Sequence, residues 1–150
     1  MGRKKQFNSW TDDEIKNFIG KAKGGSMGTI DEFGFPHVLP MWHTLFEGLI
    51  YISFRIPKKK YTNLLANKKM SYTVEGGDDF NSYHGVMIQG EAEFVDDEEV
   101  LARFNLAWTY RHFGSDADPY LNKIKHKERA VIRLLPTKTF TWDNRNMNLD

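Results

Sequence analysis

Apolar and polar positions along the chain follow two rhythms, one helical and one extended. Near the start, Ile15, Phe18 and Ile19 share one helical face. Thr11 stands as the N-cap and Glu14, three residues on, closes a capping box. Trp10 and Ile15 flank that cap as a hydrophobic staple, and Gly20 with Gly24-Gly25 ends the segment. The rhythm then turns extended. Residues 26–32, 36–45 and 49–54 read as three strands separated by turns at Gly34 and at Phe46-Glu47-Gly48. Turns this short predict an antiparallel meander, because parallel pairs need long crossovers. Pro40 inside the second strand removes a ladder donor, which predicts an edge position or a bulge.

A short helix is expected over 58–66, with Pro57 near its start and Leu64 and Leu65 turned inward. Residues 70–75 and 82–95 read as further strands around a Gly76-Gly77-Asp78-Asp79 turn, with Gly85 and Gly90 marking bends or close approaches. Asp96-Asp97-Glu98-Glu99 favours a helix start, and Val100, Leu101, Phe104, Ala107 and Trp108 keep helical spacing up to Gly114. A short helix from Asp118-Pro119 to Lys125 follows. Residues 129–135 and 138–142 then form two strands broken at Pro136-Thr137. The fold class is an all-β core with peripheral helices, a six- to seven-stranded antiparallel barrel. Residues 1–25 form a helical lead-in, 26–143 the barrel domain and 144–150 a polar tail.

Composition narrows the chemistry. The chain has 150 residues, no cysteine and a net charge of +1. That is one domain's worth of sequence. Disulfides, cysteine-ligated metals and thiol nucleophiles are excluded, and near-neutral charge gives no general reason for nucleic-acid or membrane binding. The longest strongly apolar run, 49–54, is too short to span a bilayer, and the basic start leads into acidic residues rather than a signal-peptide core. A soluble cytoplasmic protein is expected.

Charge is nonetheless segregated. Six basic and no acidic residues lie between Arg55 and Lys69, while nine acidic residues and no lysine or arginine lie between Glu75 and Glu99. The basic block falls where an apolar strand ends and a helix starts. Ammonium groups there join free backbone N–H groups, an arrangement suited to phosphate. Arg55, Lys58, Lys59 and Lys60 are the candidates, with Thr62 and Asn63 as neutral donors. An ordinary solvated lysine run is the alternative. The five histidines are scattered without metal-ligand spacing, so no metal site is expected; His37 and His43, six apart, share a face only if the strand between them is regular. No nucleophile elbow or phosphate-loop motif is present. Trp42, Phe54, Tyr72, Phe94, Phe104 and Trp108 read as core, although Trp42, beside Pro40 and two histidines, is also suited to walling a flat ligand.

Five segments carry a resemblance in the right order. They are Phe33-Gly34-Phe35-Pro36 leading into residues 37–42; the apolar strand 49–55; Lys60-Tyr61-Thr62-Asn63-Leu64; the long strand 86–95 running into Asp96-Asp97; and the closing residues 130–138 with Trp142-Asp143. Together they resemble the pyridoxamine 5'-phosphate oxidase-like flavin split barrels over residues 26–143. The resemblance implies a homodimer with flavin mononucleotide (FMN) sites at the subunit interface and Lys60 as the phosphate lysine, flanked by Lys58 and Lys59. Pro40, Met41, Trp42, Ser53 and Arg55 would stand near the flavin ring, and Asn63 and Gln89 complete the implied cofactor-binding set. A small-molecule substrate exchanging hydride with FMN follows, with no catalytic side chain assigned. The chain lacks the arginine-containing C-terminal substrate segment of true pyridoxamine phosphate oxidases. A deazaflavin-dependent reductase, and a non-catalytic flavin- or haem-binding module, are the alternatives.

Overall fold

In the computed structural model, residues 10–114 and 128–147 are described. The expected 118–125 helix lies outside them. The first helix, α1 (Asp12–Lys21), forms as its punctuation predicts. The Thr11 hydroxyl accepts from the Glu14 N–H, and the Glu14 carboxylate accepts from the Thr11 N–H. Trp10 packs edge-on against Phe18, with ring centroids 5.0 Å apart, so Phe18 gives the entering chain its aromatic contact.

Seven strands follow in one antiparallel sheet: β1 (Gly24–Ile30), β2 (Pro36–Trp42), β3 (Thr44–Phe46), β4 (Leu49–Arg55), β5 (Lys69–Gly76), β6 (His84–Phe94) and β7 (Arg129–Asp143). Helix α2 (Lys59–Ala66) joins β4 to β5, and α3 (Glu98–Phe113) follows β6. The spatial order is β2-β1-β5-β6-β7-β4-β3. Its two outermost strands are consecutive in the chain and separated by His43 alone. The sheet therefore curls until its edges approach, which gives the split half-barrel.

Four sequence expectations need correction, the simplest being Leu65, which is 58% exposed on α2 while Leu64 alone of the pair turns inward. The segment 36–45 is two strands, because His43 turns its side chain into the core and the chain crosses from one sheet edge to the other. His37 and His43 therefore do not share a regular strand face. The expected meander is replaced by two separate hairpins, β1–β2 and β3–β4, at opposite ends of the order. Pro136-Thr137 does not break the last strand. The register shifts between Gln89 and Gly90, and Pro136 pairs opposite Gly90 across that irregularity. Pro40 keeps regular register with Ser26 on edge strand β2, so its missing donor falls on the unpaired side of the sheet. Pro57 lies just ahead of α2, whose N-cap is Lys58.

The barrel interior is filled by Ile52, Phe54, Leu64, Tyr72, Val86, Ile132 and Leu134 with their neighbours. On the other side of β4 and β7, Tyr51, Val131 and Phe104 of α3 form a second cluster. With both faces covered, β4 is buried without alternation from Ile50 to Phe54. β1, β5 and β6 differ: their outward residues remain accessible, and the groove of the candidate site lies there.

Candidate functional site

Residues 53–60 leave the end of β4 and enter α2. Arg55 pairs in register with Arg129 of β7. The Arg129 guanidinium donates through Nε to the Ser53 hydroxyl at 2.9 Å and through a terminal nitrogen to the Ser53 carbonyl at 3.1 Å. Lys60 extends over the buried Phe54 ring, its Nζ 5.6 Å from the centroid. Burial, then Lys58 and Arg129, push the Lys60 ammonium below its ordinary pKa. Burial and the neighbouring Arg55 lower that of Arg129. Each of these groups is thus destabilised by desolvation and by like charge.

Among the described residues, no carboxylate pairs with Arg55, Lys58, Lys60 or Arg129. Lys59 is the exception in the run, since it forms an ion pair with Glu32 beyond the end of β1. The lysine run therefore splits into one neutralised member and two that join the arginines. At the same place α2 begins without a side-chain cap. The Tyr61 and Thr62 amides donate to the Lys58 carbonyl, which leaves those of Lys59 and Lys60 without an acceptor inside the helix. Unpaired cations beside free N–H groups supply the donor set that an anion such as a phosphate monoester requires, here called the cradle.

Asn63 does not face that cradle. It is buried, and its amide donates to the Thr29 hydroxyl at 3.0 Å, which docks α2 onto β1. Gln89 is exposed on β6 and lines a cavity of about 670 Å³ over the outward face of β1, β5 and β6, together with Ser26, Gly28, Ser71, Thr73 and Met87. Pro40, Met41 and Trp42 border a second recess of about 330 Å³, to which Ser26 and Thr73 also contribute. Those two residues line both recesses. Ile30 and Pro36 also line the larger one, next to Thr29, onto which α2 docks. The predicted residues thus divide into a cationic cradle (Ser53, Arg55, Lys58, Lys60), a groove wall (Pro40, Met41, Trp42, Gln89) and two supports (Lys59, Asn63).

Trp42 is not a core residue. It is 54% exposed, with one face stacked on His112 of α3 at 4.8 Å and 22°. Trp108 packs on the same imidazole at 5.2 Å. Burial, and next the Arg111 guanidinium, push the His112 pKa down to about 4. Beneath the wall, the Tyr72 hydroxyl lies 2.6 Å from the Met41 carbonyl and 2.8 Å from His43 Nδ1. Arg129 and His112 are absent from the sequence-based candidates, and Tyr72 figures there only as core. Arg129 carried a faint signal as the first residue of a strand, whereas nothing local ties residue 112 to residue 42.

The curled antiparallel sheet and its helix after the fourth strand define the split-barrel class. The family model for pyridoxamine 5'-phosphate oxidase matches residues 11–143, and the chain belongs to that family. Among solved structures it resembles the conserved hypothetical protein Rv2991 from Mycobacterium tuberculosis. The two are 25% identical with a TM-score of 0.85, over 99% of this chain and 98% of that one. It also shares its fold with an FAD-binding protein from Mycobacterium smegmatis (17% identity, TM-score 0.64, 88% of this chain and 94% of that one). HutZ, a haem storage protein from Vibrio cholerae, is a further likeness (19% identity, TM-score 0.68, 85% of this chain and 92% of that one). No curated protein matches the chain by sequence. Among the described residues, no helix is long and apolar enough to cross a membrane.

Proposed function

We propose that this protein is a flavin-dependent oxidoreductase that binds FMN and exchanges hydride with a small organic substrate. The observation that carries the reading is the unpaired cationic cluster of Arg55, Lys58, Lys60 and Arg129 at the start of α2, joined in one family with a groove of ring-accommodating size. The cradle takes the phosphate, and Arg129 is steadied for that contact by its two bonds to Ser53. The groove wall of Pro40, Met41 and Trp42 with Gln89 takes the ring and excludes water from one side of it. Flavin, when bound, supplies the hydride chemistry. The protein's part is to orient the two reactants and to offer the Gln89 amide and the Ser26 and Thr73 hydroxyls as hydrogen-bonding groups along the groove.

A homodimer completes the site in this reading. Val38 and Leu39 on the edge strand are 58% and 41% exposed, and Phe33 and Phe35 at the adjoining hairpin are 78% and 68% exposed. Apolar exposure on this scale around a groove suits burial against a second copy.

The test is an absorption spectrum after incubation with FMN and desalting, set beside parallel incubations with a deazaflavin and with haem. Retention of about one FMN per chain supports the assignment. Retention of deazaflavin alone moves the protein to a deazaflavin reductase, and retention of haem alone makes it a binding module. Turnover of the FMN-loaded protein with a nicotinamide reductant then separates enzyme from carrier.

A further inference from the structure

Four groups beneath the groove wall, two carbonyls, an imidazole and a phenol, form a chain that lacks one proton. Ile19 O of α1 lies 2.8 Å from His43 Nε2, His43 Nδ1 lies 2.8 Å from the Tyr72 hydroxyl, and that hydroxyl lies 2.6 Å from Met41 O. Both ends are carbonyls, which only accept. His43 must therefore carry its hydrogen on Nε2, and in the neutral ring Nδ1 only accepts. The Tyr72 hydroxyl then has one hydrogen and two acceptors, Met41 O and Nδ1. Three contacts need three protons, and a neutral histidine with a neutral tyrosine supplies two. A third proton on Nδ1 would turn every contact into a hydrogen bond, with Nδ1 donating to Tyr72 and Tyr72 donating to Met41.

The chain is anchored in three elements: α1 through Ile19, β5 through Tyr72, and the β2–β3 crossing through Met41 and His43. Met41 ties it to Trp42, the next residue in β2. The charged and titratable groups facing it are Arg111 and His112 from α3 and Lys23, whose carbonyl accepts from the His43 N–H at 3.1 Å. All are basic, so the surroundings oppose the third proton, as does burial.

We propose that Tyr72 and His43 are positioning residues for the Met41–Trp42 wall, and that this wall is most rigid when the pair holds a third proton. The inference rests on the proposed ring site for its functional meaning, although the proton chain belongs to the protein without any cofactor. Its consequence is opposed trends on acidification: the wall stiffens while the whole fold, which takes the charge at a cost, loses stability.

The experiment is nitrogen-15 NMR of the His43 ring and of the Trp42 indole in the cofactor-free protein, as pH falls from about 8 toward the acid limit of folding. The expected result is an Nε2–H tautomer at high pH and a Trp42 indole that becomes more ordered with the same midpoint as His43 protonation. Tyr72→Phe should uncouple the two signals. An Nδ1–H tautomer, or a Trp42 signal indifferent to His43, overturns the proposal, and the unmodified protein alone decides both should the variant not fold. FMN affinity supplies the functional arm. Across the His43 midpoint it should gain about three- to tenfold in the native protein relative to Tyr72→Phe, the worth of one net hydrogen bond; the phosphate's own titration cancels in that ratio. Coupled NMR signals without FMN binding at any pH would sink the flavin reading and leave the proton chain standing.

Discussion

Arg55 and Arg129 stand opposite each other across β4 and β7, two guanidinium side chains on one register pair with no carboxylate joined to either among the described residues. Directly opposed like charges destabilise a sheet. Lys58 and Lys60 add to the same field. An anion bound there relieves a repulsion already present in the fold.

Binding of an anion should therefore raise thermal stability. Inorganic phosphate at roughly 100 times its dissociation constant should add about 2.7 kcal/mol. Lys60→Ala should weaken FMN binding by about 1.5–3 kcal/mol, the loss of one charged hydrogen bond. Calorimetric titration of FMN into both proteins checks this, and equal affinities would remove Lys60 from the cradle. Arg129→Gln should weaken binding in the same direction.

Acid should erode stability in a window set by His112. Burial holds its folded pKa at about 4, below the ordinary imidazole value of 6.5. The unfolded chain thus takes up the proton first, and the stabilisation present above about pH 6.5 is lost as pH falls toward 4. His43, lowered chiefly by burial, acts in the same direction. His112→Phe keeps an aromatic partner for Trp42 but cannot titrate, so urea midpoints measured across that window should show a shallower decline. An unchanged slope would mean that His112 titrates alike in both states.

Gly90 permits the irregularity that admits Pro136 into β7. A Cβ at this position would lie 2.0 Å from the Leu135 carbonyl oxygen, which is backbone and has no room to retreat. Gly90→Ala should cost about 2–3 kcal/mol, read as a lowered urea midpoint. Gly28→Ala is the control, because its nearest neighbour would be an ordinary 3.8 Å away.

Asn63 should prove to be a support rather than a ligand. Removing its amide leaves the buried Thr29 hydroxyl without its donor. Asn63→Ala should destabilise the protein by about 1–3 kcal/mol. Its effect on FMN should be smaller than that of Lys60→Ala once the protein is kept fully folded, as parallel unfolding and binding titrations would show.

Much of the fold was legible in local pattern. The capping box at Thr11 and Glu14 involves neighbours three apart, and the acidic start of α3 acts within its first turn, so sequence alone determined both. The basic block at 55–60 was legible for the same reason: Arg55, Lys58 and Lys60 are close in the chain and remain close in space. Pro40 was placed correctly on an edge because its missing donor is a property of the residue itself.

Only the tertiary structure decided the rest. His43 divides one expected strand into two because a partner 29 residues away, Tyr72, and a helix carbonyl at Ile19 hold its ring inside. Pro136 stays within a strand because Gly90, on another strand, yields the space. Arg129 enters the cradle through pairing across 74 residues of sequence, and Glu32 withdraws Lys59 from it. Hydrophobic period, caps and turn residues act over a few positions, so the chain encodes its elements locally. Which faces, charges and protons confront each other is set when the curled sheet brings distant strands into register, and that pairing energy has no local signature.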